Sequence, residues 1–225
     1  MSEVPQPSKT RLQERQEAIE ASRAFYTPAA EIQGIVNEMR VNFQTHVTKE
    51  YGFRQAQLHG LKQLITERQS EIYDALYKDI HKNETGAYIT EIGLVLSEIN
   101  YAIKNLSSWM VPRKVSNSWV NIPVLTSTKL FPEPLGVTLI ISPWNYPILL
   151  TLNPLIGAIA AGCSAVIKPS SVTCNVTHLL AQLFPNYLDP KFYRVIEGSH
   201  DVSDALLAQK WDKIFFTGSG SIGKE

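Results

Sequence analysis

Cysteine is scarce in this sequence: 225 residues hold two, Cys163 and Cys174. Two thiols in a chain of this length build no disulfide framework. They fit a reducing compartment, so a cytoplasmic location is expected. An excess of either charge is missing as well. Lys plus Arg number 21 and Asp plus Glu 21, for a formal net charge of +0, with no dense basic tract. That argues against a nucleic-acid partner and leaves room for a local basic site for a phosphate. The first residues lack the apolar core of a signal peptide. The triplets Asn83-Glu84-Thr85, Asn105-Leu106-Ser107 and Asn175-Val176-Thr177 therefore read as chance, not as glycosylation acceptors. No internal repeat or low-complexity tract is present, and no metal site is expected. The long apolar run at residues 137–160 is interrupted by Pro143, Asn145, Pro147, Asn153 and Pro154. A lone helix with those residues would leave backbone groups unpaired in lipid. The run reads as a strand, a turn and a buried helix.

What is present is ordinary globular composition, 44% hydrophobic and 19% charged, enough to build a core. Residues 1–28 are polar and helix-prone, with Pro28 as a stop, and suggest a frayed or partly disordered arm. Residues 29–112 carry helical spacing. Ile32, Ile35, Val36, Met39 and Phe43 share one face; Leu58, Leu61, Leu64 and Ile65 mark a second helix; Ile72, Ala75, Leu76 and Ile80 mark a third. A fourth runs through Ile89, Ile92, Leu96, Ile99, Ile103 and Leu106 and ends near Trp109. Residues 113–134 mix Val, Ile, Thr and Trp with Pro123 and Pro132, which predicts an extended bridging excursion or hairpin.

Residues 135–225 alternate. Strands are predicted at 137–141, 165–167, 193–196 and 213–216, with helices at 149–161, 172–184 and 202–209 between them. This order implies α/β architecture, with a parallel sheet wound right-handedly. The near-continuous apolar strands fit burial on both faces.

Three motifs sit at the carboxyl ends of predicted strands. Gly218-Ser219-Gly220-Ser221-Ile222-Gly223 has the G-x-G-x-x-G spacing directly after a strand. Such a turn lets the backbone approach a pyrophosphate and aims a helix N-terminus at it. It follows the fourth strand of the unit where a standard Rossmann unit has it after the first, and the acidic residue expected about 20 positions on would fall past Glu225. A glycine-rich loop of no particular function is the competing reading. Ser142-Pro143-Trp144-Asn145-Tyr146-Pro147 follows the first strand. Two prolines stiffen that turn, and a stiff turn could present the Asn145 amide to a developing oxyanion. A Pro-rich turn whose Asn serves local hydrogen bonds is the other reading. Ile167-Lys168-Pro169-Ser170-Ser171 ends the second strand, where Lys168 reads either as a ligand for ribose or phosphate or as a surface lysine.

Taken together, Glu133-Pro134-Leu135-Gly136-Val137, Pro143-Trp144-Asn145-Tyr146-Pro147, Ala160-Ala161-Gly162-Cys163, Ile167-Lys168-Pro169-Ser170 and Phe216-Thr217-Gly218-Ser219 resemble the aldehyde dehydrogenase superfamily in order and spacing. Phe53-Arg54, Gln57-Leu58, Leu76-Tyr77-Lys78-Asp79 and residues 109–112 resemble its class 3 branch, which includes fatty-aldehyde dehydrogenases. The resemblance covers residues 30–225 and implies an incomplete aldehyde dehydrogenase fold: a helical segment, a bridging extension and a Rossmann-like unit binding NAD or NADP. It implies that Asn145 is the oxyanion amide and that Tyr146 lines the substrate pocket. Ser142, Pro143 and Trp144 would line the cofactor groove, and Lys168 would meet the adenosine ribose. Gly218, Ser219 and Gly223 would form the phosphate turn, with Ile222 near the adenine. Where the family often has Glu, this chain has Ser171. A carboxylate there repels a 2′-phosphate, so its loss opens the site to NADP. The resemblance also implies a medium- or long-chain aliphatic or aromatic aldehyde as substrate and a homodimer as the intact enzyme. Membrane association is expected only through a further carboxy-terminal segment.

The family's general-base glutamate and catalytic cysteine lie past the glycine turn, beyond Glu225. Cys163 and Cys174 read as core or surface thiols. These residues are therefore expected to be the cofactor-binding part of the enzyme, inactive alone for want of a nucleophile. The alternative is a non-catalytic truncated isoform or pseudogene product serving as a binding or dimerisation module. A short-chain reductase is a third class, since Tyr187 and Lys191 have its spacing, but Pro190 breaks the helix that dyad needs.

Overall fold

Thr10 opens the first helix with a capping box: its hydroxyl accepts the Gln13 N–H and the Gln13 side chain accepts the Thr10 N–H. The computed structural model describes residues 10–116 and 127–224. The helix so capped, α1 (Arg11–Ser22), packs on α8 (Cys174–Tyr187). The Phe25 ring lies 3.9 Å from the His178 ring, and the Thr27 N–H donates to the Glu197 carbonyl at 2.9 Å. Over its described residues, then, the polar arm is not frayed. Its aromatic and backbone groups found partners on an element more than a hundred residues away, which periodicity cannot reveal. Residues 1–9 lie outside the described residues.

The next helices are α2 (Ile32–Phe43), α3 (Tyr51–Glu67), α4 (Gln69–Ile80), α5 (Glu84–Ala87) and α6 (Gly93–Trp109), with a π-helical turn at Tyr88–Ile92 before α6. Beyond them β1 (Arg113–Lys114) pairs antiparallel with β2 (Lys129–Leu130), all four residues exposed. The central part of the segment expected to bridge, residues 117–126, lies outside the described residues.

The apolar run at 137–160 becomes a strand, a turn and a helix, as its prolines require: β3 (Val137–Ile141), then α7 (Leu149–Ala161). Three strands follow, β4 (Ser164–Lys168), β5 (Tyr193–Val195) and β6 (Lys213–Phe216), with α8 after β4 and α9 (His200–Leu207) after β5. The four strands are parallel in the order β5-β4-β3-β6. Side chains alternate across this sheet. Val137, Leu139 and Val166 face α2 and α9, whereas Ile140, Ala165 and Ile167 face the larger core of α3, α4, α6, α7 and α8. The fold is thus α/β, with helices on both faces of a Rossmann-like sheet. β3 and β4 are buried on both faces as expected, but β6 is not: Ile214, Phe215 and Phe216 are 44%, 43% and 37% exposed. β6 is an edge strand, and among the described residues β3 alone pairs with it. Among the described residues, no helix is long and apolar enough to cross a membrane.

Candidate functional site

The parallel register brings the three sequence motifs to one edge. Ile141 lies opposite Lys168 on one side and opposite Phe216 on the other. The ladder continues past the strands: the Ser142 N–H donates to the Lys168 carbonyl at 3.2 Å, and the Thr217 N–H to the Ile141 carbonyl at 3.0 Å. The turn from Ser142, the Lys168 strand end and the glycine turn therefore leave the sheet side by side. The strand order reverses at β3, whose neighbours are β4 on one side and β6 on the other. In open parallel sheets the crevice at such a reversal is where ligands lie.

Each arm of this rim has its own support. Ser142 is buried, its hydroxyl 2.6 Å from that of Thr151 on α7. Past it, Trp144, Asn145 and Tyr146 emerge on the surface. Lys168 is 4% exposed and its ammonium donates to the Pro169 carbonyl at 2.9 Å. Burial pulls its pKa down to about 8. The reading of Lys168 as a surface lysine is thereby excluded: its amine is held in the floor of the rim. Ser170 organises the turn into α8, its carbonyl accepting the Thr173 N–H at 3.2 Å and the Thr177 hydroxyl at 3.0 Å. Ser171 stands beside it, half-buried.

The glycine turn folds back over Phe216. A Cβ on Gly218 would strike the Phe216 ring, and one on Gly223 would sit 3.2 Å from it. Ser219 closes the turn, accepting the Gly223 N–H on its carbonyl at 3.1 Å. Where the G-x-G-x-x-G spacing predicts the start of a helix, the described residues show a single 3-10 turn, Ile222–Lys224. The rim thus offers exposed backbone at Gly218, Ser219 and Gly220, a buried amine at Lys168 and an exposed amide at Asn145. This donor set suits a nucleotide with a pyrophosphate.

Both cysteines are buried. Cys163 is buried beside the amino end of β4, the opposite edge from the rim. Cys174 is buried at the start of α8, and its thiol is pushed up to about 11, chiefly by burial. Cys174 therefore presents no thiolate at neutral pH. Among the described residues no group of three or more His, Cys, Asp and Glu could hold a metal ion.

Two carboxylates outside the sequence motifs hold the helices behind the rim. Neither α7 nor α8 is capped by its own N-cap side chain. For α8 the cap comes from Asp79 on α4: Oδ2 accepts the Val176 N–H at 2.8 Å and Oδ1 the Asn175 N–H at 3.2 Å. Burial pushes the Asp79 carboxyl up, while these donors oppose the shift. For α7 the cap comes from Glu91 in the π-helical turn: Oε2 accepts the Ile148 N–H at 2.8 Å and the Leu149 N–H at 3.2 Å. Glu91 is wholly buried and its Oε1 pairs with Lys82. A signal did exist. Asp79 and Glu91 stand on the apolar faces of their helices, Asp79 three residues after Leu76 and Glu91 four before Val95. A carboxylate on a core-facing stripe must find buried donors, but not which ones.

Known proteins share this arrangement. The model of the aldehyde dehydrogenase family matches residues 13–225. Aldehyde dehydrogenase family 3 member I1, chloroplastic, of Arabidopsis thaliana is 45% identical over 190 residues, 84% of this chain and 34% of that protein. The aldehyde dehydrogenase named dimeric NADP-preferring of Canis lupus familiaris is 40% identical over 197 residues, 87% of this chain and 43% of its own length. The substrate-bound structure of Staphylococcus aureus AldH superposes with a TM-score of 0.83 at 40% identity, over 86% of this chain and 42% of that one. The chain therefore spans less than half the length of these relatives. The family match, the family 3 relatives and the shared fold agree: the chain belongs to the aldehyde dehydrogenase family.

Proposed function

We propose that the protein carrying this chain oxidises an aldehyde to its carboxylic acid with NAD or NADP, and that these residues form its cofactor-binding part. The observation that carries the reading is the single rim shared by the Ser142–Tyr146 turn, Lys168 and the glycine turn. Bound there, the nicotinamide would accept hydride from the substrate carbon. The chain's own residues do the rest of what can be assigned. The exposed N–H groups of the glycine turn meet phosphate oxygens, as backbone nests do. Lys168 donates to the adenosine ribose, and Ile222 covers the adenine. Ser142, Pro143 and Trp144 wall the groove. The Asn145 amide donates to the oxygen on which negative charge develops, and the Tyr146 ring lines the pocket for the aldehyde's apolar substituent. The resemblance to the class 3 branch supports a medium- or long-chain aliphatic or an aromatic aldehyde as substrate.

Ser171 places no carboxylate against a 2′-phosphate, so both cofactors are accepted. The NADP preference named for the canine relative supports this, and the dimeric state named for it supports a homodimer. Cys163 and Cys174 are both buried. The 225-residue chain alone accordingly binds nucleotide and turns over no aldehyde.

Calorimetric titration of the chain with NAD and NADP tests the reading: saturable binding of at least one, weakened at least tenfold by Lys168→Gln, is the expected result. Absence of binding to either overturns it. Aldehyde-dependent NADH formation by the chain alone would overturn the account of its cysteines.

A further inference from the structure

Lys82 is fixed at a junction. His81 ends α4 in a left-handed conformation, φ 54°. Asn83 caps the next helix, its side chain accepting the Gly86 N–H at 2.7 Å. Between these two stops Lys82 turns inward, its side chain 17% exposed, and its ammonium pairs with Glu91 Oε1. The same ammonium sits 4.5 Å from the centroid of the Tyr146 ring. That is within range of a cation–π attraction.

Glu91 continues the connection inward. The π-helical turn Tyr88–Ile92 departs from the regular α-helical winding, and Glu91 within it lies fully inside. Its second oxygen takes the Ile148 and Leu149 N–H groups, the first donors of α7. A buried carboxylate with a cation on one oxygen and two N–H donors on the other is fully partnered, and each partner holds the others in place. The Ser142–Pro147 turn is thus gripped at two points beyond its prolines. One is the amino end of the helix it feeds, and the other is the ring of Tyr146. Asn145 directly precedes Tyr146 in sequence and is exposed on the rim.

We infer that Lys82 and Glu91 act as a positioning pair for the reaction: they do not touch the aldehyde, but fix the aim of the Asn145 amide and the Tyr146 ring through the α7 amino end and the cation–π contact. The inference rests on the aldehyde-oxidising role proposed above for that turn. An oxyanion donor misplaced by as little as one ångström loses most of its value, so the effect falls chiefly on turnover; the cofactor's charged and hydrogen-bonding contacts lie at Lys168 and the glycine turn, and Ser142, Pro143 and Trp144 only wall the groove.

The test uses the complete protein that carries this chain, labelled with 5-fluorotryptophan, its Trp144 resonance identified by Trp144→Phe. Lys82→Met and Glu91→Gln are compared with the unmodified protein for kcat, for NAD and NADP affinity, and for the Trp144 fluorine resonance. Expected is a kcat at least tenfold lower, cofactor Kd within twofold, and a shifted or broadened Trp144 resonance, with partial recovery of kcat in Lys82→Arg. A merely structural pair would lower stability and leave both the kcat of the folded fraction and the Trp144 resonance as they were; that result overturns the inference. Should Lys82→Met not fold, Lys82→Gln keeps a donor for Glu91 while removing the charge over Tyr146, and the same two readouts decide. If the unmodified protein neither binds cofactor nor oxidises aldehydes while the Trp144 resonance still answers to Lys82, the functional reading fails and the pair's grip on the turn stands.

Discussion

Asp79 Oδ2 accepts the Val176 backbone N–H at 2.8 Å, so a carboxylate on α4 caps a helix that begins far along the chain. The same carboxylate takes the Asn175 backbone and side-chain N–H groups on Oδ1. Asparagine offers one acceptor oxygen where Asp79 offers two, and its amide would point a donor at a donor. Asp79→Asn should lose about 1–3 kcal/mol, the range for a buried N–H left unpaired. Urea unfolding at pH 7 measures it; an unchanged midpoint would show that the cap carries no weight.

Gly162 ends α7 with φ +80°, and a Cβ there would lie 2.5 Å from Arg54 Nη2 and 2.6 Å from Cζ. The guanidinium cannot simply step aside, because it donates to the Thr48 carbonyl at 2.8 Å and the Ala160 carbonyl at 3.1 Å. Left-handed strain and overpacking add, so Gly162→Ala should cost about 2–4 kcal/mol. In an Arg54→Ala background the steric part disappears and the loss should shrink to the backbone part. Equal losses in both backgrounds would rule out the clash.

Lys168 sets stability against binding. Its folded pKa is about 8 against an ordinary 10.5, because burial disfavours the ammonium. Between those values the unfolded chain holds the proton more tightly. Stability from this group is therefore present above 10.5 and lost as pH falls through about 8. Lys168→Met should stabilise the protein at pH 7 by up to about 3 kcal/mol, a gain that fades as pH rises toward 10. It should weaken NAD and NADP binding at least tenfold. Thermal melts across that pH range, with calorimetry at pH 7, check both halves; a destabilised variant would contradict the first.

Ser171→Glu restores a carboxylate to the rim. Repulsion from a 2′-phosphate should cut NADP affinity at least tenfold, about 1.4 kcal/mol or more, while NAD affinity holds or improves. Equal changes for the two nucleotides would mean that Ser171 does not face the ribose.

Much of this molecule is written in local spacing. The three-and-four recurrence of Ile32, Val36 and Met39 is enough for a helix, and the clustered β-branched residues of β3 and β4 are enough for strands. Pro143 and Pro147 divide the apolar run into a strand, a turn and a helix, since proline acts on its own turn of backbone. The motifs at 142–146, 168 and 218–223 can be picked out as candidates too, because each belongs to one short stretch. What local spacing could not determine is which stretches meet. The register that sets Ile141 between Lys168 and Phe216 is a property of three strands together. That β6 pairs with β3, a strand more than 70 residues earlier, is likewise a matter of sheet order and not of its own apolar sequence. Glu91 and Asp79 announce themselves as misplaced charges on apolar helix faces, but their donors at Ile148 and Val176 are some 57 and 97 residues distant. Propensity and periodicity act over a few residues; hydrogen bonds to buried carboxylates and sheet order are chosen by the closed chain, where distance in sequence no longer counts.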